Sequence, residues 1–149
     1  MGETEREILE VAQKIRDLGG HNHMFAFFPE RGSLMEDWPA ADRGQWRRVQ
    51  LARFLIDYRG KRVEDMAFDE SGRVVDFGVS GELLEAEIAA GTPFRTSGCP
   101  GKDDEVSACN RPYGDSSPTD ILSFPFAPAK RDLSAIRRQM DGKAVKVGR

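Results

Sequence analysis

At 149 residues, with 32% charged and 9% aromatic side chains and a net charge of −3, the chain has the size and apolar content of one ordinary domain, or of a piece of a larger one. Acidic and basic residues are interspersed, which argues against a protein dominated by contacts to nucleic-acid phosphates. No apolar run approaches the roughly 20 residues that span a bilayer, and the acidic start MGETEREILE fits neither a signal peptide nor the myristoylation pattern, so the chain reads as cytoplasmic, with no membrane partner.

Residues 4–18 are predicted to be a helix. Ile8, Val11, Ala12, Ile15 and Leu18 repeat at three- and four-residue spacing as one apolar stripe. Thr4 and Glu7 carry the signature of a capping box, and Gly19-Gly20 stops the helix. Residues 21–28, HNHMFAFF, are short, aromatic-rich and bounded by Pro29, which reads as a buried strand. The segment PERGSLMEDWPAADRG then forms a long loop, of a length that points to function. Residues 45–58 form the second helix, with Trp46, Val49, Ala52, Leu55 and Ile56 as its buried stripe and Arg47, Arg48 and Arg53 off it.

Two short strands follow in MAFDESGRVVDFGV, turning at residues 69–72, and a third helix covers residues 81–90 before Gly91. A polar loop rich in Gly and Pro, residues 94–118, holds both cysteines. DILSFPFAP is extended, residues 130–140 form a last amphipathic helix, and the basic tail 143–149 is expected to fray. Helix, strand, helix and a mixed appendix make an α/β pattern, in which residues 1–60 form one part and residues 61–149 an extension. A parallel strand needs a neighbour, and the first helix has no strand before it, so the pattern supplies half a sheet.

The two thiols are the first candidates for chemistry. Cys99 and Cys109 are separated by nine residues; two thiolates alone complete neither a tetrahedral zinc site nor a cubane that takes about four ligands. Gly98, Pro100 and Gly101 let the backbone turn tightly around a cluster, while two free surface thiols are the structural alternative. His21 and His23 alternate around Asn22 and so share a face with Phe25 and Phe27, where they would bind substrate or relay a proton if that face lines a lumen. Glu30, Arg31 and Ser33 follow the strand's end, where ligand groups gather in parallel α/β folds. Arg53 interrupts the apolar run LARFLI, and Arg111 and Tyr113 close the cysteine loop in NRPYGDSSP; a carboxylate or phosphate suits these arginines, although each also reads as a solvated surface residue. No P-loop, nucleophile elbow or H-E-x-x-H motif is present.

In this order the pieces resemble the C-terminal portion of a radical S-adenosylmethionine enzyme, in the group containing biotin and lipoyl synthases. GETEREILEVAQKIRDLGG with HNHMFAFFPERGSLMEDWP resembles that group's fifth barrel helix, sixth strand and following loop, and QWRRVQLARFLID its sixth helix. FRTSGCPG…CNRPYGDSSP resembles a cysteine-bearing tail of some members.

The resemblance implies the C-terminal part of a partial (β/α) TIM-type barrel followed by that tail. Gly2 and Glu3 would match the end of the family's G-x-I-x-G-x-x-E motif beside S-adenosylmethionine. Cys99 and Cys109 would contribute to an auxiliary iron–sulfur cluster that serves sulfur insertion. His23, Glu30, Arg53, Arg111 and Tyr113 would contact a small-molecule or lipoyl- or biotin-type substrate. The C-x3-C-x2-C motif of the radical-generating cluster is missing, so cleavage of S-adenosylmethionine would need a partner chain or N-terminal half that carries it. Two other readings stand beside this one: a non-catalytic module that completes a partner's barrel, and a redox site formed by reversible pairing of the two thiols.

Overall fold

A computed structural model of the protein describes residues 2–96 and 122–142. The order along the chain is α1 (Glu5–Asp17), α2 (Arg43–Arg59), a 3₁₀ turn (Val63–Asp65), β1 (Ala67–Phe68), β2 (Val74–Asp76), α3 (Gly81–Ala90), a second 3₁₀ turn (Thr92–Phe94) and α4 (Lys130–Met140). The architecture is mixed α/β. Among the described residues there are four α-helices and one two-stranded antiparallel sheet, and no barrel is seen.

Local sequence accounts for most of the boundaries. The Thr4 hydroxyl accepts from the Glu7 amide at 3.2 Å while the Glu7 carboxylate accepts from the Thr4 amide at 2.8 Å, satisfying two otherwise orphaned donors of α1. Asp42 caps α2 through the Gln45 amide at 2.7 Å, which is why that helix begins two residues before the predicted 45. Ser80 caps α3 in the same way. Gly91 ends α3 at φ +72°, and a Cβ there would lie 2.8 Å from Pro128 Cδ, so both backbone conformation and close approach require glycine.

The hairpin turns at residues 69–72, as predicted. The Asp69 carboxylate accepts from the amides of Ser71 and Arg73 at 2.9 and 3.0 Å. Two strands this short are marginal by themselves, and the hairpin tip is held from outside. The Arg6 amide donates to Gly72 O at 3.0 Å, and a Cβ on Gly72 would meet Thr4 at 2.6 Å.

The main core gathers Leu9, Val49, Leu51, Leu55, Val63, Val74, Ile88, Phe94 and Ile136, so residues from both parts of the chain share it. At its centre lies α2, packed against α1 and α4 and enclosed on all sides along its middle. This corrects two expectations. Arg47 and Arg48 are buried, at 3% and 6% exposure, because each finds acceptors on other elements. On α1 the enclosed residues are Glu5, Leu9, Ala12 and Gln13, while Val11 and Leu18 of the predicted stripe face outward. Gln13 earns its interior place by accepting from the Val63 amide at 2.6 Å.

Residues 21–28 have no regular secondary structure and join no ladder among the described residues, in place of the expected strand. A strand exists only through a neighbour, and none is found among the described residues. Of DILSFPFAP, predicted to be extended, the described part from Leu122 bends on both sides of a single bridge: Phe124 pairs with Arg95 in parallel, with the Phe124 amide donating to Phe94 O at 2.9 Å and the Thr96 amide to Phe124 O at 2.8 Å. The helix expected at 130–140 forms with those bounds. The basic tail 143–149 and most of the cysteine loop lie outside the described residues.

Among the described residues, no helix is long and apolar enough to cross a membrane.

Several exposed carboxylates make the fold sensitive to acid. The backbone amide of Thr4 holds the Glu7 carboxyl below its usual range, and a hydrogen bond from Arg62 does the same for Asp17. Because the folded values are lowered, the stabilisation is complete above the unfolded carboxylate range and is lost as pH falls through the lowered folded values. Urea midpoints are therefore expected to fall as pH drops below about 4, and Glu7→Gln should flatten that slope. An unchanged slope in the variant would show that the cap does not titrate with folding.

Candidate functional site

One concavity is a groove of about 820 Å³ beside the start of α2. Its walls come from four places: Gly2, Glu3 and Ile8 at the start of α1; residues 24–27; residues 38–42; and Gln45, Trp46 and Val49 on α2. Ala26, Trp46 and Leu122 form a small second core at its back, joined by Met24 and Ala41. Two hydrogen bonds fix the frame: the Ala41 amide donates to Phe27 O at 2.8 Å, and the Gln45 carboxamide donates to Glu3 O at 3.1 Å. The lining is mostly apolar and aromatic with a few polar groups, the composition expected of a small-molecule site. Phe25 and Trp38 remain 67% and 48% exposed at its rim, with Phe28 and Leu34 exposed on the neighbouring loop.

Exposure alternates along residues 21–26. His21, His23 and Phe25 face outward, whereas Asn22, Met24 and Ala26 turn inward. Ala26 is only 5% exposed, yet no hydrogen bond among the described residues engages its amide or carbonyl, and the same holds for the backbone of Met24, Phe25 and Phe28.

Of the predicted site residues, Gly2 and Glu3 meet at the groove. His23 and Glu30 are exposed, Glu30 within a chain of turns in which its carbonyl accepts from the Ser33 amide at 3.1 Å. Arg53 is enclosed: it pairs with Asp57 at 3.3 Å and donates to Asn22 O at 3.2 Å. The structure does not draw His23, Glu30 and Arg53 into one site. Among the described residues, the Asn22 carboxamide and Arg53 Nε are buried without a hydrogen-bond partner. Cys99, Cys109, Arg111 and Tyr113 lie outside the described residues.

Sequence reading missed the two tryptophans as site residues. Periodicity places Trp46 only in a core stripe, and Trp38 falls inside a loop. Their placement on either side of PAAD, whose Asp42 caps the next helix, was the available signal.

A second concavity, of about 630 Å³, lies between α1 and residues 63–68. Its charges satisfy one another, with Arg6 on Glu10 at 2.9 Å and Gln13 on Glu64 at 3.3 Å, and Arg62 binds Asp17 at 3.0 Å beside it. It reads as a solvated structural surface.

Among the described residues, no group of three or more His, Cys, Asp or Glu side chains could hold a metal ion. Compared with known proteins, the chain matches no protein-family model, no curated protein and no solved structure.

Proposed function

We propose that this chain works as the C-terminal portion or a subunit of a radical S-adenosylmethionine enzyme of the biotin and lipoyl synthase kind. It would contribute barrel wall and substrate contacts, and would share in an auxiliary iron–sulfur cluster. One observation carries the proposal: residues 21–28 are aromatic and half enclosed, but the backbone of Met24, Phe25, Ala26 and Phe28 pairs with nothing among the described residues. Such a segment is completed by strands from elsewhere, as the sixth strand of a divided barrel would be. Gly2 and Glu3 lie at the adjoining groove, where the resemblance puts the methionine–adenosine ligand.

A cluster, when bound, would supply sulfur or electrons. Two thiolates are half of the roughly four donors that a cubane takes, and the described residues provide no further set. Cys99 and Cys109 would therefore share the cluster with donors from a partner. This chain's own work is binding: the aromatic groove holds the apolar body of a ligand, and Glu3 and Gln45 stand where its polar end would lie.

The test is anaerobic purification of the chain together with the polypeptide that carries C-x3-C-x2-C, followed by iron and sulfide analysis. The expected result is a brown complex that retains less iron and sulfide in the Cys99→Ser/Cys109→Ser variant, with the amides of Met24, Phe25 and Ala26 protected from exchange. A complex whose iron content is indifferent to both cysteines would remove the auxiliary-cluster role. A chain that forms no complex would remove the barrel reading.

A further inference from the structure

We infer that Arg47 is a positioning residue for the groove, acting through the Leu122 carbonyl on the ring of Trp46. The inference rests on the reading of the groove as a ligand site. Arg47 touches no groove volume itself; it is 3% exposed and lies behind the wall. Its Nη1 donates to Leu122 O and, at 2.8 Å, to Gln50 Oε1, while its Nε donates to Gln139 Oε1 at 2.9 Å. The guanidinium also sits 5.5 Å from the Phe124 ring and 6.0 Å from that of Phe94.

The same Leu122 carbonyl receives the indole N–H of Trp46 at 3.4 Å. That is a long hydrogen bond, too weak to orient a large ring unaided. Gln50 extends the clamp by donating to Ser123 Oγ at 3.2 Å. Three side chains from one stretch of α2 thus grip residues 122–123, with the charged one bonding most strongly. Leu122 in turn packs on Ala26 and Trp46, the groove's back wall. A group that fixes Leu122 consequently fixes the surface against which a ligand lies.

The chain has two tryptophans, so Trp38→Phe leaves Trp46 as the single emitter. In that background, Arg47→Met keeps an unbranched apolar stem between the two phenylalanines but gives Leu122 O no charged donor. The expected result is a red-shifted Trp46 emission and roughly tenfold weaker binding of 1-anilinonaphthalene-8-sulfonate, read by energy transfer from Trp46, as loss of one charge-assisted hydrogen bond predicts. Arg47→Lys should recover part of both signals. Gln139→Ala, which removes an Arg47 contact remote from Leu122, should leave Trp46 emission unchanged.

Equal emission and dye affinity in the Arg47→Met and parent proteins would overturn the inference. So would a red shift of the same size in Gln139→Ala, which would mark a general loosening. Should Arg47→Met fail to fold, Arg47→Lys decides: parent-like emission and affinity count against the assignment, and intermediate values count for it. If the parent protein shows no energy transfer to the dye, the groove fails as a ligand site, and Trp46 emission still judges Arg47.

Discussion

Replacing Glu5 with alanine is expected to cost about 3–5 kcal/mol, a large share of the stability of a domain this size. The Glu5 and Arg48 side chains are 4% and 8% exposed, and Arg48 binds the carboxylate through Nη2 at 2.6 Å and Nε at 2.9 Å. The second carboxylate oxygen accepts from the Val74 amide at 2.8 Å, and Arg48 Nη1 reaches Met140 O at 2.8 Å. One ion pair therefore joins α1, α2, β2 and the end of α4. Truncating Glu5 leaves a buried guanidinium without its counter-charge and the Val74 amide without its acceptor, and that desolvation penalty sets the size of the effect. Glu5→Leu combined with Arg48→Met strands neither charge and should recover much of the loss. Urea denaturation decides the matter, with Glu10→Ala as the control. Its pair with Arg6 is half exposed and should contribute less than about 1 kcal/mol. If Glu5→Ala costs no more than Glu10→Ala, the pair does not hold these elements together.

What the sequence disclosed and what it withheld divide along the range of the interactions involved. Thr4 with Glu7, Asp69 with Gly72, and Gly91 all act within a few residues, and the structure follows them closely. The burial of Arg48 depends on Glu5, 43 positions away, and that of Arg47 on Leu122, 75 positions away. Periodicity alone assigns such arginines to a solvated face, because nothing adjacent announces their acceptors. Val11 and Leu18 mislead in the opposite direction: they are apolar but outward, since the interior side of α1 is given to Glu5 and Gln13, whose partners lie on other elements. Residues 21–28 have strand composition, but composition does not provide a neighbour. At the site, Gly2 and Glu3, which entered through the resemblance, line the groove, whereas Arg53, read either as reaching a carboxylate or as a surface residue, is committed to Asp57 and Asn22 through partners that its neighbours in sequence do not announce.

Phe94→Ala should be comparably damaging, at about 3–5 kcal/mol, but for a different reason. Phe94 is fully buried in the main core just after α3, with residues 122–124 beside it. Its carbonyl accepts from the Phe124 amide at 2.9 Å, and its ring lies under the guanidinium of Arg47. Removing the ring opens a cavity in the core and withdraws one of the two aromatic faces that accommodate a buried cation. Phe94→Leu separates the two contributions, because it refills most of the volume while abolishing the cation–π contact. It should retain more than half of the lost stability. Phe126→Ala, at a position 65% exposed, should change stability by no more than about 0.5 kcal/mol. If the leucine variant proves as unstable as the alanine variant, the aromatic face matters more than the volume, and Phe94 belongs functionally to the Arg47 clamp. If the alanine variant melts with the parent protein, residues 122–124 are held by α2 alone, through Trp46, Arg47 and Gln50.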